Sequence, residues 1–364
     1  MINKDFKLLQ NRTVPNNTGC GSPVIQTQCA QFIAEIQNAC VNGVAQLPIN
    51  SGFEKHPYKG MLQNIESEKY LIGTFPPISY IIDSIQSLGT NIQNLRQPTN
   101  PHQVITKPMI PFFHGNVGSL WSVFLTQPEL AALNALLPGN RIGGKNFLIE
   151  KLHNIGVFYD DIIKSTQRKL GKVDQNIQNL GYTYEDKNLK NICVDEELII
   201  RLVTNQNTKV VCFTNGATFG VNGLQLYTQL NRAGLVKTNN SDALSLFLRG
   251  CQDMGLNIEL QCLPHYTWTP LAALNQAQRS TKLIFEVRIS KGRKCNHISL
   301  VDFDQKSFTT ITPFSPAAIR FMGNHPIVAN YLANNGNPPI ASMLTYVYDK
   351  FRNNQHALLY PLNI

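Results

Sequence analysis

The chain has 364 residues, 43% of them hydrophobic and 15% charged, enough for one large domain with additions or two ordinary ones. Its longest apolar runs, such as Val210 to Phe213 and Ala357 to Leu362, fall far short of a bilayer span, and Met1 to Gln10 lacks the apolar core of a secretory signal. A soluble, intracellular (cytoplasmic) protein with no membrane partner is therefore expected, and its formal charge of +9 makes nucleic acid the first partner to consider.

Taken in chain order, residues 1–55 read as an N-terminal appendage. Asn11 to Pro23 has loop composition, and Cys29 to Val44 carries the apolar spacing of one amphipathic helix, with Phe32, Ile33, Ile36, Cys40 and Val44 on one side. After Glu68 the pattern changes. Tyr70 to Ile72 is a short apolar strand closed by the turn Gly73-Thr-Phe-Pro-Pro77, and Ile78 to Leu88 can begin a helix. Pro111 to Trp121 is a Gly- and aromatic-rich loop. Helices are expected over Glu129–Leu137, Asn146–Ile155 and Glu196–Asn205, and Val210 to Phe213 is a fully apolar strand. From about 221 to 305 the alternation blurs and the segment reads as an internal insertion, with Leu256–Leu263 and Lys282–Ile289 as strands. Ser307–Ile311 is the last strand, and Ile327–Asn334 and Ala341–Arg352 finish the chain as helices.

Strands alternating with helices predict an α/β fold, three layers α/β/α around a mainly parallel sheet, occupying 56–364. In such sheets ligands lie beyond the carboxyl ends of the strands, which makes the loops after Ile72 and Phe213 natural site walls.

Several motifs are absent or broken. None of the eight cysteines forms a Cys-x-x-Cys pair, and no metal or cofactor is expected; Cys212, inside an apolar strand, reads as a buried small hydrophobe. Gly139-Asn-Arg-Ile-Gly-Gly144-Lys145 nearly spells a phosphate-binding loop, but Asn146 stands where Ser or Thr is needed and no apolar strand precedes it. It reads as a basic loop.

The informative features form an ordered set: His56-Pro57; Leu71-Ile-Gly-Thr-Phe-Pro-Pro77; the Phe112 to Trp121 loop; Ile155-Gly-Val-Phe-Tyr-Asp-Asp-Ile-Ile163; Val210-Val-Cys-Phe-Thr-Asn-Gly-Ala217; and Ser315-Pro-Ala-Ala-Ile-Arg320. In this order they resemble the uracil-DNA glycosylase superfamily, especially the branch of mismatch and hypoxanthine glycosylases. The resemblance covers roughly residues 56–220 and 306–364. It implies a metal-free, monofunctional DNA glycosylase that flips a base out of DNA and hydrolyses its N-glycosidic bond.

The same resemblance distributes the roles. Gly73, Thr74, Phe75 and Pro76 would wall the base pocket, with backbone N–H groups of the turn facing the leaving charge. Phe75, Phe112 or Phe113 would stack on the base, the alternative for each being core packing. Asp161 matches the position that reads the base edge, and Asp160 can exchange roles with it. An ionised carboxylate only accepts hydrogen bonds, so an N–H-bearing edge, as in cytosine or hypoxanthine, is favoured over uracil. Bulky modified cytosine of the phage type is compatible with this, as is a role in either repair or phage defence. Many relatives place Asp, Asn or Glu where Thr74 and Phe75 stand here. The water-holding group then falls to Asn116, with His114 second, although Asn116 beside Gly115 equally suits a simple turn. Ser315 and Pro316 match the DNA-entering loop, with Ile319 or Arg320 filling the vacated stack where Ala317 replaces a wedge; an ordinary helix start is the alternative. His265, in Leu263-Pro-His265-Tyr-Thr-Trp268, can donate to the leaving base. The basic stretch Lys291-Gly-Arg-Lys294 suits a larger DNA footprint or a solvated loop. Two other functions fit the pattern: a non-catalytic DNA-binding module of the same fold, and an α/β enzyme acting on free nucleosides.

Overall fold

A computed structural model of the chain describes residues 40–41, 44–45, 50–56, 66–75, 120–137, 140–169, 189–214, 242–262, 284–313, 323–324, 326–356 and 359. Among them the architecture is α/β, with a six-stranded mixed sheet and six α-helices.

The central sheet contains β4 (Lys69–Gly73), β5 (Val157–Asp161), β8 (Val210–Phe213), β9 (Leu256–Cys262), β10 (Ile284–Lys291) and β11 (Gln305–Ile311), in the order β5-β4-β8-β11-β10-β9. The first four of that order run parallel, and β10 is antiparallel to both of its neighbours, so it alone is reversed. Strands β4, β5 and β8 are buried along their whole length, as short apolar runs covered on both faces must be.

Helices cover the two faces. On one, α3 (Glu196–Thr204) and α4 (Ala243–Asp253) join Tyr70, Ile72, Phe158, Val211 and Phe213 in a single apolar core. Leu198, Ile199, Leu202 and Val203 of α3 are fully buried, each contributing about 1.5–3 kcal/mol of transfer free energy. Both helices begin at an aspartate whose side chain accepts a backbone N–H: Asp195 from Leu198 and Asp242 from Ser245. On the other face a 3-10 turn, Trp121–Val123, is followed by α1 (Gln127–Leu136) and α2 (Arg141–Asn154); α5 (Pro326–Asn334) and α6 (Ser342–Arg352) end the described chain. Here Trp121 packs edge-on against Tyr159 at 5.0 Å, and Phe124 meets Tyr348 and Phe351 of α6 at 5.8 and 6.4 Å.

From β4 the chain moves to the sheet edge at β5, then crosses to β8 on the other side of β4. The strand order reverses there, and the three strands end at Gly73, Asp161 and Phe213; open α/β sheets bind ligands beyond the carboxyl ends at such a reversal. A second sheet stands beside this end. Strands β3 (Asn50–Lys55), β6 (Ile163–Lys169) and β7 (Leu189–Val194) pair antiparallel in the order β3-β6-β7. Only Ile162 separates β5 from β6, and its N–H donates to the Gly73 carbonyl at 2.9 Å.

Two segments differ from their sequence reading. The expected Cys29–Val44 helix does not reach Val44: β1 (Cys40–Val41) and β2 (Val44–Ala45) pair antiparallel across Asn42-Gly43, a dipeptide that favours tight hairpins over helix. The expected basic loop Gly139–Lys145 instead enters α2, because Asn140 accepts the Gly143 N–H at 2.8 Å and caps the helix. Gly144 is where α2 crosses α1's end, since a Cβ there would lie 2.7 Å from Leu137 Cδ2. Residues 221–305, read as an insertion, supply α4, β9 and β10, and both strands extend the central sheet through β11. Likewise β3, within the 1–55 segment read as an appendage, is hydrogen-bonded to β6.

Candidate functional site

At the carboxyl end of the parallel strands, Gly73 of β4 and Asp161 of β5 are register partners. Asp161 is fully buried, and its Oδ2 lies 2.9 Å from His56 Nε2, with His56 itself 1% exposed. The Tyr159 hydroxyl donates to Asp161 Oδ1 at 3.1 Å. A buried carboxylate needs such partners, because an unpaired charge in an apolar interior costs several kcal/mol, roughly.

Each member is placed by a different part of the fold. Tyr159 and Asp161 are two residues apart on β5 and leave the same face of the sheet. His56 follows β3, and its backbone N–H donates to the Lys164 carbonyl of β6 at 2.9 Å, so the second sheet carries the imidazole to the first. Gly73 makes the space: a Cβ there would fall 2.1 Å from Asp161 Oδ1 and 3.1 Å from the Tyr159 hydroxyl oxygen. Phe75 stands edge-on to the imidazole, with centroids 5.5 Å apart and an interplanar angle of 83°.

An ionised carboxylate only accepts, so with Asp161 ionised the shared proton sits on His56 Nε2. Burial, and after it the negative charge of Asp161, holds the Tyr159 phenol well above its ordinary range, so it stays a donor. The arrangement can orient one imidazole tautomer and stabilise the imidazolium formed when that ring takes a proton.

The neighbouring carboxylate turns the other way. Asp160 Oδ1 accepts the Asp161 backbone N–H at 2.7 Å, and its Oδ2 is 3.8 Å from Arg201 of α3. The two aspartates therefore serve opposite faces of the sheet. Phe75 is 6% exposed and belongs to the apolar core, while Thr74 before it is half-buried.

Gly73, Thr74, Phe75, Asp160 and Asp161 are thus brought together at one end of the sheet. Pro76, Phe112, Phe113, His114, Asn116, His265, Ser315, Pro316, Ile319 and Arg320 lie outside the described residues. The basic stretch after β10 lies at the opposite end of the sheet, because β10 runs against the parallel strands. Sequence reasoning gave no role to His56 or Tyr159. The available signal was a pair of aspartates ending a buried strand, directly after a tyrosine. Among the described residues, no three His, Cys, Asp or Glu side chains are grouped to hold a metal ion, and no helix is long and apolar enough to cross a membrane. Cys212 is fully buried, and burial pushes its thiol pKa well up, as befits a core residue.

Comparison with protein-family models, with curated proteins and with solved structures finds no match to this chain.

Proposed function

We propose that the protein is a DNA glycosylase of the uracil-DNA glycosylase type, hydrolysing the N-glycosidic bond of a damaged or modified base. The observation that carries this reading is the Asp161–His56 pair, held at 2.9 Å at the carboxyl ends of parallel strands beside the strand-order reversal. The ordered motifs and the +9 charge add to it.

In this reading Asp161 orients His56 rather than reading the base edge, and the imidazole takes the water-activating part expected of Asn116 or His114. The water oxygen bonds to C1′ of the sugar while the C1′–N bond breaks. The electron pair of that bond departs on the base, and the water proton passes to the imidazole of the His56–Asp161 pair, then to the departing base or to solvent. Asp161 balances the imidazolium charge in between. His56 is 1% exposed.

That burial also favours a second reading, in which the cluster fastens β3 and β6 to the central sheet and the protein binds DNA without cutting it. An abasic-site assay separates the two. Oligonucleotides carrying uracil, hypoxanthine and native or glycosylated hydroxymethylcytosine are incubated with the protein and cleaved with alkali. Strand breaks on one of them, lost in Asp161→Asn, support the glycosylase. DNA that is bound yet intact on every substrate supports the reader. Binding in either case should weaken at least about tenfold between 50 and 200 mM salt if several phosphates are contacted, roughly as counterion release requires.

A further inference from the structure

We propose that the Tyr159 hydroxyl is a positioning group: it locks the Asp161 carboxylate in one rotation and, through it, holds the His56 imidazole in one tautomer and one orientation. This deepens the reading of the pair as the working centre and rests on it.

The two carboxylate oxygens have separate tasks. Oδ2 faces His56 Nε2 at 2.9 Å and Oδ1 receives the Tyr159 hydroxyl at 3.1 Å. Rotating the carboxylate to meet any other group would loosen both bonds at once. The hydroxyl itself is fixed by packing, because the Tyr159 ring is 5% exposed and stands at 89° to the Trp121 ring. Burial and the charge of Asp161 keep the phenol protonated, so its role as donor is permanent under ordinary conditions. The opposite wall is Gly73, where any Cβ would collide with Oδ1 and crowd the hydroxyl oxygen. On the far side, the ring of His56 is bounded by Phe75 and its backbone is tied to Lys164. A glycine at 73 and a tyrosine at 159 are therefore one device, the first leaving the space that the second organises.

A purely structural tyrosine would fill volume and nothing else. Tyr159→Phe keeps the ring and its contact with Trp121 and removes only the oxygen, so it distinguishes the two roles. In proton NMR of the full chain, the His56 Nε2 proton, bonded to a buried carboxylate, should resonate downfield of the other imidazole protons and vanish in His56→Gln. The proposal expects this signal to shift or broaden in Tyr159→Phe while the melting temperature moves by only about 2–4 °C. Gly73→Ala, which drives a methyl group towards the same oxygen, should move it too. A signal unchanged in both variants, or absent from the wild type, overturns the proposal. With the substrate found in the abasic-site assay, Tyr159→Phe should lower kcat about tenfold and leave KM for the oligonucleotide unchanged, a share of what a general base contributes. A change in KM alone also overturns it. If the wild type excises no base, the glycosylase reading falls, and the NMR measurement still decides whether Tyr159 positions Asp161.

Discussion

Asp161 shows how a single buried charge organises its surroundings. It closes a strand that is buried throughout, and it has drawn to itself an imidazole from a residue 105 positions away. Because Oδ1 lies 2.1 Å from where a Cβ at 73 would stand, that position must remain glycine for the carboxylate to keep its place. Gly73→Ala is expected to destabilise the fold by about 1–3 kcal/mol, the usual cost of overpacking a closed site, read as a lower midpoint in urea with an unchanged slope. A midpoint equal to that of the wild type would mean that the carboxylate yields without loss. Asp161 was a candidate in the sequence through the family resemblance of its segment. Its partner was not: His56 stood in the ordered motifs, but no local pattern tells which distant group satisfies a buried carboxylate. The same blindness made the facing of Asp160 and Asp161 interchangeable until the pleat assigned them to opposite faces.

At the scale of elements, periodicity found what is locally encoded. Strands β4 and β8 and helices α3, α5 and α6 announce themselves through short apolar runs or one buried stripe. Helix α2 begins earlier than expected because Asn140 caps it, while Gly143 and Gly144, weak helix formers, hide that first turn in the sequence. The three strands of the second sheet were missed, since polar residues such as Asn50, Lys164 and Asn191 interrupt any clean alternation there. Capping gives a test at this scale. Asp242 accepts the Ser245 N–H at 2.9 Å at the start of α4, and burial raises its pKa above the ordinary 3.8. A carboxyl with a raised folded value binds its proton more tightly when native. It therefore adds stability at low pH and loses that increment as pH rises from 3.8 through the folded value. Asp242→Asn keeps an acceptor for the cap, so melting curves across this window should lose that component of the pH dependence. An unaltered pH profile would show that the carboxyl titrates alike in both states.

For the whole molecule, the fold class followed from alternation of strands and helices, and the parallel arrangement of β5, β4, β8 and β11 agrees with it. The extent of the sheet was less legible. Strands β9 and β10 were seen individually, yet their membership in the same sheet depends on pairing with β11, a non-local register that spacing along the chain does not express. That pairing also separates two charged regions: the basic stretch Lys291 to Lys294 follows β10 at one end of the sheet, and the Asp161–His56 pair lies at the other. On the proposed reading, a single short duplex at the carboxyl end reaches the Asp161–His56 end of the sheet and not that stretch. The central proposal is that the Asp161–His56 pair performs base excision. Its most direct test is the rate of abasic-site formation under single turnover by wild type, Asp161→Asn and His56→Gln, with melting temperatures taken alongside. The account predicts excision of one modified base by the wild type and a loss of at least about 100-fold in both variants, the usual contribution of a positioned base. Excision at wild-type rate by folded His56→Gln, or none by the wild type on any substrate, would contradict it.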